Sequence, residues 1–392
     1  MTEKNKSVKK FPNLRFPGFD EEWEVKKLGE AFSIFNGYAF SSNASVDNGN
    51  LWVKIADVGI QEMKRDNISF LPFDFKEKYS KFILEKGDYV VALTRPILSG
   101  KLKIAKIDDF FNGSLLNQRV GKIQTNNHNG FIYYTLQRTP LIKEIENNIA
   151  GSDPPNLSPN EINLISIKLP VISEQQKIAD FLEIIDTRIQ TQRKIISQLK
   201  SQMSNLKDLI FEQQLRFKND KENEFPDWKG SKLEDICEKK SSNISANKIE
   251  DNVGNYPIYG ATGILKSIDF YEVENDYVSI IKDGAGVGRL IYCKGKSSVL
   301  GTLDIIQSKN VNLYFIFLLL SRIDFKKYIT GSTIPHIYFK DYKKENFQIP
   351  SIKEQEKIAN FFKLLDDKIN TESSLLIQYE NQKKYLLQNL FV

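Results

Sequence analysis

Two loops in the sequence carry side chains whose chemistry suits contact with DNA. Each loop follows a strand-like run of apolar residues, at 89–93 in the first half of the chain and at 277–281 in the second. Arginine can bind guanine through two hydrogen bonds, asparagine and glutamine can bind adenine in the same way, and lysine suits phosphate. The candidate residues are Arg95, Lys101, Lys103, Asn117, Gln118, Arg119, Lys282, Arg289, Lys294, Ser332 and His336. Because a solvated hairpin tip would have a similar composition, we interpret these residues as DNA contacts only as a set.

Two motifs look like parts of enzymes but lack what the chemistry requires. The glycine-rich stretch 284–288 follows a strand-like run, as a cofactor-binding loop would, but a second strand-like run follows it where a helix is needed. We therefore predict a hairpin turn. The Asp-Pro-Pro-Asn stretch at 153–156 is similar to the DPPY motif of DNA amino-methyltransferases, in which the aromatic residue stacks on the flipped base. Asn156 replaces that aromatic residue, so we predict a loop that leads towards a helix.

The composition excludes several classes of protein. The chain has 392 residues, of which 41% are hydrophobic and 27% charged, as in ordinary globular proteins, and its net charge of +5 permits nucleic-acid binding without requiring it. It has two cysteines and two histidines, which are scattered and show no CxxC or HxxxH spacing, so we do not expect a zinc site. The sequence contains no phosphate-binding GxxxxGK[ST] loop and no membrane-length apolar run, and from its polar, lysine-rich start we expect no signal peptide. We expect a cytoplasmic protein without a catalytic centre, cofactor or metal of its own.

The chain repeats itself, which is the most specific signal in the sequence. Residues 169–191 match residues 349–371 at an offset of 180, and about half of the aligned positions are identical. An opening segment at 15–30 has a shorter counterpart at 224–235, so the first copy is about 25 residues longer. Further matches are Gly151-Ser152 with Gly331-Ser332, Pro155 with Pro335, and Leu157 with Ile337. Because the ends of the repeat are kept while the middles differ, we expect two sites that recognise different targets.

Each copy must place its loops on a scaffold that ends in a long helix. Apolar residues recur with alternating spacings of four and three after Ser173 and again after Lys353, which is typical of a coiled-coil seam, the stripe through which helices pair. Ser173 and Gln176 resemble a capping box at the start of the first helix. We predict two helices of roughly 38 to 40 residues, each about 57 to 60 Å long, that pair in antiparallel orientation. The seam and partner-docking residues are predicted to be Glu174, Gln175, Ile178, Leu182, Ile185, Ile189, Glu354, Gln355, Ile358, Phe362, Leu365 and Ile369.

The predicted seam is polar at one matched position in each helix. Gln192 and Glu372 stand where apolar residues are expected. A polar seam residue can fix the register of two helices at some cost in stability. The alternative is that each helix turns towards solvent at this point.

These segments together resemble the specificity subunits of type I restriction-modification systems. The resemblance rests on LPVISEQQKIADFLEIID from Leu169 and IPSIKEQEKIANFFKLLD from Ile349, on the Gly-Ser motifs upstream of each, and on the openings FPGF…EW…KLGE and FPDW…KLED. It covers nearly the whole chain, twice and in the same order. It implies an α+β fold with two β-rich target recognition domains, separated by two long helices in an antiparallel coiled coil with pseudo-twofold symmetry. The implied segments are 1–168 and 218–348 for the two domains, and 169–217 and 349–392 for the helices.

The resemblance also implies what the chain does and with what it assembles. Each domain would read one half of a bipartite site in double-stranded DNA, and the helices would set the spacer between the halves. Two methyltransferase subunits would dock on the chain, and restriction subunits would join them. S-adenosylmethionine, ATP and Mg²⁺ would be bound by those partner subunits.

Two other functions remain open from the sequence. A self-contained DNA methyltransferase would bind S-adenosylmethionine itself, which calorimetry on the purified chain would detect. A coiled-coil adaptor without a nucleic-acid partner would give no salt-dependent gel shift with duplex DNA.

Overall fold

The chain forms two compact units in the computed structural model, which describes residues 11–149 and 154–392. Unit 1 comprises Met1–Arg193 and Ser374–Val392, and unit 2 comprises Lys194–Ser373. Each unit thus takes a segment from both long helices, because apolar faces of those segments complete the core of the unit. This division differs from the four segments predicted from the sequence, 1–168, 169–217, 218–348 and 349–392.

Unit 1 is built from short strands and short helices before its long helix begins. The strands are β1 (Glu24–Lys27), β2 (Ser33–Asn36), β3 (Asn50–Val53), β4 (Phe70–Leu71), β5 (Tyr89–Ala92), β6 (Ile97–Leu98), β7 (Lys101–Leu102), β8 (Ile104–Lys106), β9 (Leu115–Leu116), β10 (Val120–Gln124) and β11 (Ser166–Leu169). The α-helices are α1 (Leu28–Ala31), α2 (Phe75–Lys78), α3 (Asn129–Thr135), α4 (Thr139–Ile149), α5 (Pro159–Ile162) and α6 (Ile172–Phe211), whose second half belongs to unit 2. Two 3₁₀ helices lie at Ser42–Ala44 and Ser80–Phe82.

The core of unit 1 lies on both faces of a four-stranded antiparallel sheet in the order β2-β10-β5-β8. The central strand β5 is fully buried, as its unbroken apolar run predicts. Val91 packs into the core that α3 and α6 complete, whereas Val90 packs on the opposite face with Val53 and Leu116. A second sheet, β4-β3-β9, contains a parallel β3–β9 pair, and β1 pairs with β11 just before α6.

Unit 2 has the same organisation with a shorter middle. Its strands are β12 (Lys229–Lys232), β13 (Cys237–Ser241), β14 (Tyr256–Gly260), β15 (Gly263–Ile268), β16 (Tyr277–Ile281), β17 (Leu290–Cys293), β18 (Ser298–Val299), β19 (Leu303–Ser308) and β20 (Asn346–Ile349). Its helices are α7 (Leu233–Ile236), α8 (Leu313–Leu320), α9 (Phe339–Tyr342) and α10 (Ile352–Asn389), with 3₁₀ helices at Ala246–Ile249 and Phe325–Tyr328.

The sheets of unit 2 match those of unit 1 strand by strand. The order β13-β19-β16-β17 corresponds to β2-β10-β5-β8, and β15-β14-β18 corresponds to β4-β3-β9 with its parallel pair. The register agrees as well, because Ile281 lies opposite Leu303 as Ala92 lies opposite Val120. Unit 1 has an additional hairpin, β6–β7. The predicted α+β fold with an internal repeat is confirmed.

The two long helices have the predicted lengths, 40 residues for α6 and 38 for α10. In unit 1 they run antiparallel, since Asp186 pairs with Lys383 and, further along α6, Arg193 pairs with the earlier residue Glu380. The predicted capping box at Ser173 is wrong, because α6 begins at Ile172 and the backbone of Val171 accepts the first N–H groups.

The polar seam positions are covered by their surroundings. Gln192 is 5% exposed, so the alternative in which α6 turns to solvent there is wrong. The side chain of Glu372 is 14% exposed and pairs with Lys368 one turn earlier in α10. Both residues therefore keep a polar group within a largely apolar stripe.

Candidate nucleic-acid interface

Three predicted contact residues of unit 1 meet at one end of its central sheet. Arg95 follows β5, and Gln118 and Arg119 precede β10, which pairs with β5. The backbone N–H of Leu93 donates to the carbonyl oxygen of Arg119 at 2.9 Å, which ties the two loops together. All three side chains are exposed, and within the described ranges none forms a side-chain hydrogen bond or ion pair. The part of the chain that the structure describes therefore leaves two guanidinium groups and an amide available to a ligand.

Arg95 is held in place by the loop that precedes α5. Its backbone N–H donates to the carbonyl oxygen of Pro155 at 2.8 Å, and the Thr94 hydroxyl donates to Asn156 Oδ1 at 2.8 Å. The predicted loop around 153–156 is confirmed for its described residues. Arg95 has a φ angle of +47°, in the left-handed region where a residue with a Cβ is strained. Strain of this kind persists where surrounding contacts impose it, as they do here.

An exposed aromatic side chain, which sequence reasoning missed, lies beside these residues. The carbonyl oxygen of Tyr38 accepts from the N–H of Gln118 at 2.9 Å, and the residue is 39% exposed. The ring packs on Tyr79 with 4.5 Å between centroids, and a hydrogen bond with the Tyr79 side chain raises the pKa of Tyr38. Tyr38 belongs to no motif that we recognised in the sequence, so only its pairing with the 117–119 turn identifies it.

The other three candidates of unit 1 have different positions. Asn117 is 9% exposed, and its side-chain oxygen accepts from the N–H of Arg119 at 3.1 Å, which shapes the turn. The Lys103 ammonium donates to the carbonyl oxygen of Ile55 at 3.1 Å, and burial lowers its pKa. Lys101 lies in the β6–β7 hairpin beside the long helices. The structure therefore does not bring these side chains to the exposed end of the sheet.

In unit 2 the glycine-rich stretch is the hairpin turn predicted from the sequence. It joins β16 to β17, which pair antiparallel. Gly284, Gly286 and Gly288 have φ angles of +83°, +89° and +84°, which favour glycine. A Cβ on Gly288 would also lie 2.6 Å from the Cβ of Phe325. The backbone of this turn is thus one that glycine adopts without strain.

Charged candidates flank this turn. Lys282 Nζ lies 3.6 Å from the carboxylate of Asp304, which is buried. Arg289 is exposed and donates to the carbonyl oxygen of Ala261 at 3.1 Å. Lys294 lies at the opposite end of β17, where it pairs with Asp276 at 3.1 Å. The structure thus groups Lys282 and Arg289 but separates Lys294 from them.

The loop before α9 closes over the glycine-rich turn. Gly284 donates its backbone N–H to the carbonyl oxygen of Pro335 at 2.9 Å, and the backbones of His336 and Asp283 form an antiparallel β-bridge. The His336 ring packs on Tyr338 with 4.8 Å between centroids. Ser332 is exposed at the tip of the loop. His336 and Ser332 therefore share the end of the sheet that carries Lys282.

The same backbone frame thus carries different side chains in the two units. The backbone hydrogen bond from Gly284 to Pro335 corresponds to the one from Arg95 to Pro155, so Arg95 and Gly284 occupy equivalent positions in the two units. A second backbone hydrogen bond supports this equivalence, since the N–H of Ile337 donates to the carbonyl oxygen of Lys282 as the N–H of Leu157 does to that of Leu93. The equivalent pairs at this end of each sheet are Arg95 and Gly284, Thr94 and Asp283, Arg119 and Thr302, and Asn156 and His336. The matched motif Gly151-Ser152 lies outside the described residues.

The predicted docking residues at the starts of the long helices bind other residues of the same chain. Glu174 is fully buried and accepts two hydrogen bonds from Arg15, both at 2.8 Å. Glu354 is also fully buried and pairs with Arg216 at 2.9 Å. These carboxylates therefore anchor helix to domain and offer nothing to a partner. A sequence signal exists that was missed, namely the dipeptide Arg-Phe at 15–16 and again at 216–217.

The remaining predicted seam residues are also internal. Gln175 accepts from the N–H of His128 at 3.0 Å, and Gln355 accepts from the N–H of Asn312 at 2.9 Å. The half-buried member is Leu365. Those buried in the cores are Ile178, Leu182, Ile185, Ile189, Ile358, Phe362 and Ile369. A partner must use other faces of these helices.

Both cysteines are buried free thiols. Burial raises the pKa of both Cys237 and Cys293 to about 12, so these thiols are protonated at neutral pH. In residues 11–149 and 154–392 no three His, Cys, Asp or Glu side chains are grouped to hold a metal ion. The helices of those same ranges include none with the length and apolar character to cross a membrane.

Comparison with known proteins identifies one family. A family model described as the type I restriction modification DNA specificity domain matches residues 20–201 and again 226–381. Among curated relatives, the type I restriction enzyme MjaVIII specificity subunit of Methanocaldococcus jannaschii is 33% identical over 214 residues. That alignment covers 54% of this chain and 50% of the relative. The EcoAI specificity subunit of Escherichia coli is 29% identical over 196 residues, 48% of this chain and 33% of that protein. The chain thus spans half or less of these relatives.

Solved structures share the fold over almost the whole chain. The S subunit of a type I restriction-modification system from M. genitalium superposes with a TM-score of 0.69 and 17% identity, covering 97% of this chain and 99% of that one. A chain from a study of complex assembly and conformational transition of the type I R-M system gives a TM-score of 0.50 at 16% identity. At these identities the likeness concerns the fold.

Proposed function

The chain belongs to the family of type I restriction-modification DNA specificity domains, and we propose from this that it selects the DNA site at which such a system acts. Each unit reads one half of a bipartite site in double-stranded DNA. Methylation and cleavage are carried out by partner subunits, which bind S-adenosylmethionine, ATP and Mg²⁺.

The proposal rests on one observation. At this end of the sheet the two units share the same backbone hydrogen bonds but carry different side chains. Both units hold the loop after the central strand by the same backbone bonds, yet Arg95 and Arg119 stand where Gly284 and Thr302 stand in unit 2. A common frame gives both units the same way of approaching a duplex. Different side chains on that frame read different base edges.

The physical mechanism separates affinity from specificity. Lysine and arginine contacts with phosphates release counterions, so they give binding that weakens with salt and is insensitive to sequence. Arg95, Gln118 and Arg119, exposed and without side-chain partners in the described chain, supply base contacts in the first half-site. Lys282 and Arg289, with His336 beside them, supply contacts in the second.

The long helices fix the spacer between the two half-sites. Each helix takes part in both units, and 40 residues of α-helix extend about 60 Å. A rise of about 3.4 Å per base pair converts any change in helix length into a defined number of base pairs. The number of base pairs between the half-sites is therefore a property of α6 and α10.

Two like methyltransferase subunits dock on matched exposed positions of these helices. Ile184 of α6 is 54% exposed and Leu364 of α10 is 70% exposed, and the two are separated by the 180-residue offset of the repeat. Ile172 and Ile352 form a second exposed pair at the same offset, 51% and 48% exposed. Exposed apolar residues that recur in both copies fit a partner that binds twice.

The experiment that tests this function exchanges the DNA-recognition segment of one unit at a time. Residues 30–150 are replaced by the corresponding segment of a related chain with a known site, and methylated motifs are sequenced in cells that also contain the methyltransferase partner. One half of the motif changes and the other half stays. The matched exchange of residues 235–330 changes the other half. An unchanged motif after both exchanges would refute the assignment.

The same preparation separates the two alternatives. A self-contained methyltransferase would bind S-adenosylmethionine in calorimetry on the isolated chain, and we expect no heat of binding. An adaptor without a DNA partner would leave duplex DNA unshifted at low salt, whereas we expect a shift that weakens as salt rises.

A further inference from the structure

Tyr38 is an exposed aromatic residue beside the side chains that are proposed to contact bases in the first half-site. Its carbonyl oxygen accepts from the N–H of Gln118 at 2.9 Å, and its backbone forms a parallel β-bridge with Asn117. Gln118 and the residue that follows it, Arg119, have exposed side chains. A duplex in contact with Arg119 therefore passes close to Tyr38.

Neighbouring aromatic rings restrain the Tyr38 side chain. The ring centroids of Tyr79, Phe40 and Phe82 lie 4.5, 5.0 and 5.5 Å from that of Tyr38, and these four rings form an aromatic cluster. A hydrogen bond with the Tyr79 side chain raises the pKa of Tyr38 and engages its hydroxyl group. A ring restrained in this way offers an apolar surface at a fixed position, which favours contact with a group that projects into a groove over insertion between bases.

Two lysines lie next to this aromatic cluster. Lys78 Nζ is 5.4 Å from the centroid of the Tyr79 ring, and its positive charge partly offsets the rise in the pKa of Tyr38 that the hydrogen bond causes. Lys81 Nζ is 5.5 Å from the centroid of the Phe35 ring, which stacks on the cluster. Both lysines are exposed, and within residues 11–149 and 154–392 neither forms an ion pair. Lysines in this state suit contact with phosphates.

Unit 2, all of which the structure describes, has neither feature at the equivalent places. The N–H of Gly301 donates to the carbonyl oxygen of Ile244 at 2.8 Å, as that of Gln118 does to Tyr38, so Ile244 is the equivalent of Tyr38. Ile244 is 8% exposed, against 39% for Tyr38. The segment between the equivalent strands β15 and β16, 269–276, has four acidic residues and no basic one. The exposed aromatic residue and its lysines thus belong to unit 1 alone.

We propose that Tyr38 contacts the 5-methyl group of a thymine in the first half-site, while Lys78 and Lys81 contact phosphates beside it. This rests on the proposed function and adds to it a base contact of different chemistry. Thymine presents its methyl group in the major groove, where apolar side-chain surfaces recognise it. Hydrogen-bonding groups cannot recognise a methyl group, so the Tyr38 ring complements Arg95 and Arg119.

Replacement of thymine by uracil tests this, because it removes the methyl group and keeps the base pair. Binding of duplexes that carry the methylated motif is measured for the full chain in complex with its methyltransferase partner, with uracil at one thymine of the first half-site at a time. We expect one position at which uracil weakens binding by about fourfold, the usual effect of one buried methyl group. Tyr38→Ala binds the thymine and uracil duplexes equally, whereas Tyr38→Phe keeps the preference because it keeps the ring.

Two exposed residues of unit 1 provide matched controls. Tyr385→Ala, which removes an exposed aromatic side chain from α10, keeps the preference for thymine. Lys78→Ala lowers the slope of log affinity against log salt by about one, as the loss of one phosphate contact does. Lys86→Ala, whose lysine pairs with Asp109 at 2.7 Å, leaves that slope unchanged. Thermal melts establish that each variant is folded at the assay temperature.

The proposal is overturned if uracil is tolerated at every thymine of the first half-site, if Tyr38→Ala still loses affinity at the sensitive position, or if Lys78→Ala keeps the full salt slope. Each of these results leaves the proposed function intact when the complex prefers the methylated motif over a scrambled duplex. Equal binding of the motif and the scrambled duplex would instead refute the proposed function, and this contact with it.

Discussion

Arg95 presents its guanidinium to solvent from a backbone conformation that favours glycine. Its equivalent in unit 2 is a glycine with the same backbone hydrogen bond. A strained residue costs about 1 kcal/mol or more, so its side chain needs a reason to be there. Contact with a guanine edge or with its neighbouring phosphates is such a reason. Arg95 would then contribute to recognition of DNA and not to stability of the fold.

Arg95→Gly is therefore expected to fold as well as the unchanged chain and to read DNA less well. The free energy of unfolding changes by no more than about 1 kcal/mol, because relief of strain offsets the greater freedom of glycine in the unfolded chain. Discrimination at one base pair of the first half-site falls by about 1 to 3 kcal/mol, measured by competition binding with single-base variants.

Lys294→Ala is the control, since this exposed lysine lies at the far end of its sheet and pairs with Asp276. It leaves discrimination unchanged in both half-sites. Equal losses in both variants, or full discrimination in Arg95→Gly, would show that Arg95 does not read bases.

At the scale of elements, the ends of the long helices complete the cores of the units. Phe391, just beyond α10, packs on Phe131 and Trp23 in unit 1, with ring centroids 5.1 and 6.3 Å apart. Phe211, at the end of α6, packs on Phe315 and Trp228 in unit 2 at 5.4 and 6.1 Å. Each helix thus ends as a component of a core, in addition to pairing with the other helix.

Phe391→Ala is expected to destabilise unit 1 by about 3 to 5 kcal/mol, because it removes a buried aromatic side chain. Hydrogen exchange resolved by peptide measures the effect, with faster exchange in β5 and α3. Phe211→Ala produces the reciprocal result in β16 and α8. Uniform protection loss in both units from either variant would contradict this division of the cores.

The length of the helix pair is a second property of these elements. Insertion of seven residues after Arg193 and of seven before Glu380 keeps both seams in phase and adds about 10 Å. The spacer of the recognised site is then longer by about three base pairs, as read from the methylated motif. Insertions of four residues at the same places put the seams out of phase and abolish binding. An unaltered spacer with the seven-residue insertions would rule out the helices as its determinant.

At the scale of the whole molecule, the proposed function predicts that the repeat determines how many partners bind. Ile184→Glu is expected to remove one methyltransferase subunit from the complex, and Leu364→Glu the other, because a charge in an apolar contact is costly to desolvate. Native mass spectrometry of the purified complex reports the stoichiometry directly. Each single variant retains one subunit and the double variant retains none, whereas two subunits on the double variant would place the docking surface elsewhere.

Much of this organisation could be predicted from the sequence. The internal repeat indicates the duplication, the spacing of apolar residues indicates the helix lengths, and the glycine-rich stretch between two strand-like runs indicates the hairpin at 284–288. The roles of Glu174 and Glu354 could not, because a carboxylate near a helix start looks exposed until Arg15 and Arg216 are seen to reach it. The unit boundaries were missed for a similar reason, as the return of the chain end to the first core is a long-range contact. The equivalence of loops with different lengths likewise depends on backbone pairing that single residues do not reveal.

The most direct measurement is the methylated motif in cells that contain this chain together with its methyltransferase partner. We expect methylated adenines in a bipartite motif whose two halves differ in sequence and are separated by a fixed number of unspecified base pairs. Deletion of the chain removes this methylation. A contiguous motif, a motif with two identical halves, or methylation that persists without the chain would contradict the proposed function.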